Sequence, residues 1–300
     1  MSLGAVASSA PVLAQIDHSQ YLEVVGWALK TFGGTDCYAN VSEAFSNITS
    51  MFLAQDFDSI QKTFNLCNAP SDAFDIYRIM DEIISYFENG AQYNLIEYPD
   101  IYDICTVMTN VNLGNSLQRL SHLTAVTFNI SHGDKCATYS YSAHVDYLKK
   151  TGDASDSIDR QWYYQRCTEF GRFRTTNSQS EPFQSFLPLE YYLSLCDDVF
   201  GNETSRVLPQ RVNETNLKYG GLRPKTTNVV FVNGNVDPLY TMSILKPADP
   251  HIYSILINGT AHCADMDLPK AWDPPELADA QQTIFQLVKQ WIKQHSTTHW

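Results

Sequence analysis

Two runs of β-branched and apolar residues near the end of the chain constrain the fold more than any other feature of the sequence. They are NVVFVNG at residues 228–234 and HIYSILING at residues 251–259. Each run is short and ends in Asn and Gly, residues that favour turns. The pattern therefore predicts two buried strands, each followed by a loop.

The rest of the chain predicts one more strand and many helices. Residues 4–14, GAVASSAPVLA, are small and apolar and include Pro11, which favours an interior parallel strand running into a loop. From about Gln15 to Leu123 apolar residues recur at helical spacing, with very few strand signals. Residues 151–160 are a polar connector, and the segment after it is predicted to be helical in its first half. The final segment predicts an amphipathic helix with an apolar face of Leu277, Ala280, Ile284, Leu287, Val288 and Trp291.

This order of elements predicts the fold class. A strand, a long helical region, two strands and a helix are typical of an α/β fold with a large helical insertion. We therefore divide the chain into a core strand at 1–15, a mainly helical region at 16–200, and the remainder of the core at 201–300.

The charge of the chain argues against two classes of partner. There are 33 acidic and 20 basic residues, for a formal net charge of −13. Such a chain repels phosphate backbones and anionic lipid surfaces, and no Lys/Arg cluster reverses the sign locally. We expect no nucleic-acid partner, and no segment is long and apolar enough to predict a transmembrane helix.

Cysteines and glycosylation sequons together indicate a secretory route. The seven cysteines contain no C-x-x-C pair, so disulfides are favoured over a structural zinc site. The first residues lack a basic region and a signal-like apolar run, and one resolution is that the natural polypeptide begins upstream of Met1. Sequons begin at Asn40, Asn47, Asn129, Asn202, Asn213 and Asn258.

Asp237 and His262 are the candidate catalytic residues. Each lies a few residues past one of the two predicted strands, and the carboxyl ends of adjacent parallel strands meet at one edge of a sheet. A carboxylate in that position can orient an imidazole and stabilise its protonated form. Asp and His also follow each other in the chain order of α/β-hydrolase triads.

Simpler interpretations of these two residues stay open. Asp237 precedes Pro238 and taken alone could be a turn former, and His262 could be an ordinary loop histidine. A metal site formed by His262, Cys263, Asp265 and Asp267 has no second ligand cluster to support it. We expect neither a metal nor another cofactor.

Four stretches make a family resemblance specific: VASSAPVLAQ, DRQWYYQRCTEFG, VVFVNGNVDPLY and AHCADM. In combination they resemble the Pro-Xaa carboxypeptidase family of serine peptidases. The thymus-specific branch is the most similar, because of CTEFG and of a histidine followed by cysteine. The resemblance covers essentially the whole chain, and only about the final two thirds of a full-length family member.

The resemblance implies an α/β-hydrolase core with a helical cap, and a Ser-Asp-His triad whose Asp and His match Asp237 and His262. The family's nucleophile lies in a G-G-S-Y-x-G elbow upstream of the stretch that matches VASSAPV, and the sequence contains no substitute G-x-S-x-G. Ser8 and Ser9 are better explained as small residues packed in a strand. We therefore expect these 300 residues alone to be inactive and poorly stable, with Ala5 to Val12 as an exposed sheet edge.

The resemblance also implies three disulfides: Cys37 with Cys105, Cys67 with Cys136, and Cys167 with Cys196. Cys263 is then free beside His262. It is interpreted as a small buried residue, with a reactive thiol as an alternative. A Cys-His nucleophile is a remote alternative, because adjacent residues rarely point at one another.

Members of the family cleave beside proline near a peptide terminus, which implies a short peptide as substrate. Trp162, Tyr163 and Tyr164 are candidates for a proline-accepting wall, and Glu169 for a group that receives a peptide amine. Core packing and a surface charge are the simpler alternatives for these residues.

Three functions follow from this sequence, in decreasing order of support. The first is a lysosomal or secreted serine exopeptidase, for which a homodimer is left open. The second is a non-catalytic peptide-binding glycoprotein without the nucleophile. The third is a metal-dependent hydrolase using His262 and its neighbouring aspartates.

Overall fold

A computed structural model describes residues 3–97, 99–132, 136–152 and 158–296, and for 126–132, 295 and 296 the backbone alone. Its strands are β1 (Ala5–Ser8), β2 (Gln15–Asp17), β3 (Gly171–Phe173), β4 (Val229–Gly234) and β5 (Ile252–Ile257). Strands β1, β4 and β5 form a parallel sheet in the order β1-β4-β5. Strands β2 and β3 form a separate parallel pair. The structure therefore combines a small parallel sheet with a helix-rich remainder.

The central strand β4 is buried, whereas β1 lies at an edge of the sheet. β1 pairs with β4 in the register Ala5↔Val229, and within the described ranges no strand covers its other side. The side chain of Val6 is 41% exposed. The interior strand predicted from the pattern of residues 4–14 differs from this position, because small apolar residues do not show whether a neighbour covers the outer edge. The exposed sheet edge expected at Ala5 to Val12 from the family resemblance agrees with the position of β1.

From residue 20 to residue 132 the described chain is mostly helical, as the spacing of apolar residues between about Gln15 and Leu123 predicts. Aspartates begin several helices: the Asp72 carboxylate accepts from Asp75 N, and Asp100 and Asp103 form a reciprocal capping box. The helices are α1 (Gln20–Phe32), α2 (Thr35–Leu53), α3 (Phe57–Thr63), α4 (Ala73–Gln92), α5 (Ile101–Met108), α6 (Ser116–His132), α7 (Tyr141–Lys149), α8 (Ile158–Gln165), α9 (Leu189–Phe200), α10 (Thr204–Tyr219) and α11 (Pro275–Ser296).

The two largest hydrophobic clusters of the described residues serve these two parts of the molecule. The larger core packs α1, α2, α4, α5 and α9 together around side chains such as Phe45 and Phe87, and Leu208 of α10 joins it. The second core lies between the sheet and α11, where Val232 meets Leu277 and Trp291. The C-terminal helix therefore covers one face of the sheet, as its apolar stripe predicts.

Three disulfides join elements that are distant in sequence. Cys37 is bonded to Cys105, Cys67 to Cys136, and Cys167 to Cys196. Cys263 is a free thiol. No helix in the described ranges has the length and apolar character needed to span a bilayer.

Candidate functional site

Asp237 and His262 lie in contact at the carboxyl ends of β4 and β5. The Asp237 Oδ2 atom is 2.8 Å from His262 Nδ1. The Asp237 carboxylate is 0% exposed and the His262 side chain 24% exposed. Asp237 also begins the 3-10 turn Pro238–Met242, where its Oδ1 atom accepts a 3.0 Å hydrogen bond from Leu239 N. A single buried carboxylate therefore orders its own turn and orients the imidazole.

The electrostatics of the pair favour a protonated imidazole. The hydrogen bond to Asp237 is the main cause that raises the pKa of His262 to about 10, with a contribution from Cys263 and against the effect of burial. A histidine that takes a proton from a nucleophile needs this stabilisation of its cationic form. The contact with Asp237 thus stabilises the imidazolium that forms when His262 accepts a proton, and only the neutral form of the imidazole can act as the base.

With Nδ1 bound to Asp237, the Nε2 atom of His262 is the one left to act on a nucleophile. Among the residues that the structure describes, no Ser or Thr hydroxyl bonds to it. Ser8 Oγ donates to Asp265 Oδ1 over 2.5 Å, and Ser9 Oγ accepts from Cys263 N over 2.8 Å. Both serines therefore connect β1 to the loop that carries His262.

A glutamine at the end of α4 holds this loop, and nothing in the sequence pattern relates it to the site. The Gln92 carbonyl accepts a 2.9 Å hydrogen bond from His262 N. Its Oε1 atom accepts from the buried Tyr21 hydroxyl over 2.5 Å, and its Nε2 atom donates to the Tyr93 hydroxyl over 3.1 Å. The Tyr93 ring meets the His262 ring edge-on, with centroids 5.5 Å apart. The helical region thus contributes directly to the position of His262.

A buried histidine supports the turn that carries Asp237. His18 Nε2 lies 2.7 Å from Thr241 Oγ1, which itself donates to the Pro238 carbonyl. Burial, followed by the charge of Arg174, lowers the pKa of His18 to about 3, so this imidazole is neutral at physiological pH. His18 therefore has a structural role beside the site.

Cys263 adopts a left-handed backbone conformation with φ of 55°, immediately after His262. The thiol interacts with the imidazole, and this hydrogen bond is the main cause that lowers the pKa of Cys263. The Cys263 Sγ atom also donates to the Ser8 carbonyl over 4.0 Å. The thiol is half-buried.

A cleft of about 540 Å³ opens beside the Asp237 turn. Asn235 and Tyr240 from that turn form one wall, and Glu23, Trp27 and Lys30 of α1 form another. Its size is in the range of pockets that hold small ligands. The cleft next to the Asp237 turn is therefore large enough for a small ligand.

The structure does not bring the predicted pocket residues of the segment around α8 into contact with Asp237 or His262. Tyr163 packs against Arg166 and His144, while Trp162 and Tyr164 are exposed. Glu169 lines a separate cavity with residues of α10. A role for these four side chains in binding substrate thus has no support from the contacts of the described residues.

Of the predicted glycosylation sites, Asn47, Asn202, Asn213 and Asn258 are exposed and Asn40 is half-buried. The side chain of Asn129 lies outside the described residues. Asn258 is closest in sequence to the site, and its Nδ2 atom donates to Glu276 over 3.0 Å. In the described part of the chain, no group of three His, Cys, Asp or Glu side chains is arranged to hold a metal ion.

Comparison with known proteins places this geometry in a family context. A family model described as serine carboxypeptidase S28 matches residues 1–284. The thymus-specific serine protease of Mus musculus is 31% identical, over 96% of this chain and 59% of the relative. The human thymus-specific serine protease is 32% identical, over 96% and 58% respectively. The human lysosomal Pro-X carboxypeptidase is 25% identical, over 98% and 59%. The chain thus spans about three fifths of the length of these curated relatives.

Proposed function

Because the chain belongs to the serine carboxypeptidase S28 family, we propose that Asp237 and His262 are the acid and the base of a serine-peptidase triad. The proposed activity is exopeptidase cleavage of short peptides beside proline. The observation that carries the proposal is the 2.8 Å contact between the fully buried Asp237 carboxylate and His262 Nδ1. This contact fixes the tautomer that leaves Nε2 able to accept a proton.

The proposed architecture is an α/β-hydrolase core formed by residues 1–15 and 201–300, with residues 16–200 as a helical cap. The parallel sheet and its cover by α11 support the core, and the separate helical cluster supports the cap. Leu208 packs with the helical cluster, so the cap boundary is better placed within or after α10.

In the proposed triad the nucleophile is a serine that is not among those whose hydroxyl groups lie near His262 in this structure. The open edge of β1 has unpaired backbone groups, and a strand that carries the nucleophile can pair there. Without such a serine we expect the 300 residues alone not to hydrolyse peptides.

The compartment proposed for the whole protein is the lysosome or the extracellular space. Three disulfides are typical of proteins that fold in an oxidising environment. One relative is named for the lysosome, and its name also carries the Pro-X specificity that we extend to this chain.

The test uses the natural polypeptide that contains these residues, after the 5′ end of its transcript has been mapped. Turnover of fluorogenic proline-containing peptides is measured for the wild type and for Asp237→Asn, His262→Ala and Asp267→Asn. We expect the first two substitutions to lower kcat by about 10⁴-fold. Asp267→Asn is the matched control, because Asp267 lies in the same loop and pairs only with Lys270 at the surface. Wild-type turnover in both triad variants would contradict the proposal.

A second candidate, a non-catalytic peptide-binding glycoprotein, is favoured by the absence of a hydroxyl bonded to His262 Nε2 among the described side chains. It predicts that the natural polypeptide binds proline-containing peptides without cleaving them. It also predicts no covalent labelling by a fluorophosphonate, a reagent that reacts with activated serines. Labelling that depends on His262 would exclude this candidate.

A further inference from the structure

The backbone at the start of β3 is strained in a way that places one arginine. The π-helical turn Arg166–Phe170 is followed by Gly171, with φ of 67°, and by Arg172, with φ of 60°. A Cβ atom at Gly171 would overlap the backbone of Gln15, so this position requires glycine. Arg172 has no such freedom, because the left-handed conformation is strained for a residue that carries a Cβ atom. Strain of this kind is concentrated at functional sites.

The strained segment directs the Arg172 guanidinium towards the segment that follows β1. Its Nη2 atom donates to the Pro11 carbonyl over 2.8 Å and its Nε atom to the Leu13 carbonyl over 3.3 Å. The guanidinium also lies 4.9 Å from the centroid of the Phe170 ring. These contacts fix the plane of the group. Since a guanidinium has five N–H donors, three are left for other partners.

No carboxylate neutralises this cation within the described part of the chain. Arg174, two residues later, forms an ion pair with Glu88, whereas Arg172 has no ion pair among the described residues. Burial alone lowers the pKa of Arg172 to about 10, which shows the cost of removing the charge from water. A partly buried charge of this type is usually offset by an opposite charge. Here that charge has to come from elsewhere.

Arg172 bonds to the segment that follows β1, at the end of the β1-β4-β5 sheet where the candidate catalytic pair lies. Pro11, which accepts from the guanidinium, is two residues beyond Ser9, and Ser9 accepts from the backbone of Cys263 next to His262. The charge of Arg172 also contributes to lowering the pKa of His18, whose imidazole contacts Thr241 in the Asp237 turn. The backbone amides of Val12 and Leu13 donate to the Met242 carbonyl at the end of the Asp237 turn, so the segment that holds the guanidinium is bonded to both loops of the site.

We propose that Arg172 binds the carboxylate of a peptide ligand, and that this carboxylate is the C-terminus of the peptide. This inference rests on the proposed peptidase function and specifies which end of the substrate lies beside the catalytic pair. A planar guanidinium with several free donors matches a carboxylate in two parallel hydrogen bonds. A bound carboxylate would also supply the negative charge that the described residues do not place beside Arg172.

Calorimetric titration of the natural polypeptide that contains these residues, carrying His262→Ala to prevent cleavage, tests the proposal. The probes are acetyl-Gly-Pro-Phe with a free C-terminus, the same peptide with a C-terminal amide, and acetyl-Gly-Pro-Glu-amide. Because hydrogen bonds between charged groups are strong, we expect the free acid to bind at least about tenfold more tightly than the amide. Arg172→Gln should abolish this preference, and Arg172→Lys should retain part of it.

The matched control is Arg206→Gln, which removes an equal charge from an exposed position on α10 and should leave the preference unchanged. Equal affinity for the free acid and the C-terminal amide, or no binding of either peptide, would overturn the proposal. This comparison is made without a substitution at Arg172. A preference that survives Arg172→Gln would also overturn it. If acetyl-Gly-Pro-Glu-amide binds as tightly as the free acid, the site recognises an acidic side chain, and the assignment of the bound carboxylate to the C-terminus is wrong. Since binding is measured without His262, failure of the proposed triad leaves this result intact.

Discussion

The backbone amide of His262 donates a 2.9 Å hydrogen bond to the carbonyl of Gln92, the last residue of α4. The base of the candidate catalytic pair is therefore held from one side by the sheet, through Asp237, and from the other by the helical region. Displacement of α4 would change the position of the imidazole even if Asp237 did not move. The helical region is thus part of the site and does more than cover it.

The side chain of Gln92 should be coupled energetically to Tyr21. Gln92→Ala leaves the buried Tyr21 hydroxyl without its acceptor, which costs about 1–3 kcal/mol of the free energy of unfolding. The double variant with Tyr21→Phe should lose less than the sum of the two single variants, because both partners are then absent. Urea denaturation of the four proteins measures this coupling. Gln210→Ala, at an exposed position, is the control, and strict additivity of the two losses would contradict the prediction.

The Asp237–His262 pair should make stability depend on pH above neutrality. The pKa of His262 is about 10 in the folded protein, above its ordinary value of 6.5. Its contribution to stability is therefore complete below about pH 6.5 and is lost as the pH rises towards 10. We expect Asp237→Asn to flatten this part of the profile and to lower the pKa of His262 measured by NMR. His251→Asn should change neither, and an unshifted His262 titration in Asp237→Asn would argue against the pairing.

His18 should have the opposite effect on the acidic side. Its pKa is about 3 in the folded protein, below the ordinary 6.5, because burial disfavours the imidazolium. The neutral form contributes stability above about pH 6.5, and that contribution is lost as the pH falls from 6.5 towards 3. His18→Gln should reduce the slope of unfolding free energy against pH in this range. The same measurement on the exposed His251→Asn variant provides the reference slope, and equal slopes for wild type and His18→Gln would refute the assignment.

Gly33 should be intolerant of any side chain, although its φ of −93° suits every residue. A Cβ atom at this position would overlap the Cys105 sulfur of the Cys37–Cys105 disulfide. We expect Gly33→Ala to destabilise the protein by about 1–3 kcal/mol, as overpacking does. The loss should be smaller in a Cys37→Ala, Cys105→Ala background, which lacks the sulfur. Thermal melts are compared for wild type and Gly33→Ala, each with and without the two cysteine substitutions, and counts of free thiols check the disulfide. An equal loss in both backgrounds would indicate a general effect of alanine at the helix end.

The sequence alone predicted the elements that depend on local patterns. The β-branched runs predicted β4 and β5, and the apolar stripe predicted α11. The turns after the strands indicated that Asp237 and His262 lie together. Gln92 and Arg172 were missed, because their contacts depend on how distant segments pack. The edge position of β1 was expected from the family resemblance and not from the pattern of residues 4–14, since an edge is defined by neighbouring strands. The short strand β2 was also missed, because three residues carry too little periodicity.

A hydrogen bond between two segments that are distant in the chain sets a condition on the synthesis of the protein. Asn228 Nδ2 donates to the Leu3 carbonyl, and these residues are 225 positions apart in the chain. At about 5–20 residues per second, a ribosome needs roughly 10–45 s between the two. During that interval β1 has no β4 to pair with, while the helical segment can already form its contacts. The side of β1 that faces β4 therefore has unpaired backbone groups for tens of seconds of synthesis, an interval in which a chaperone can bind them.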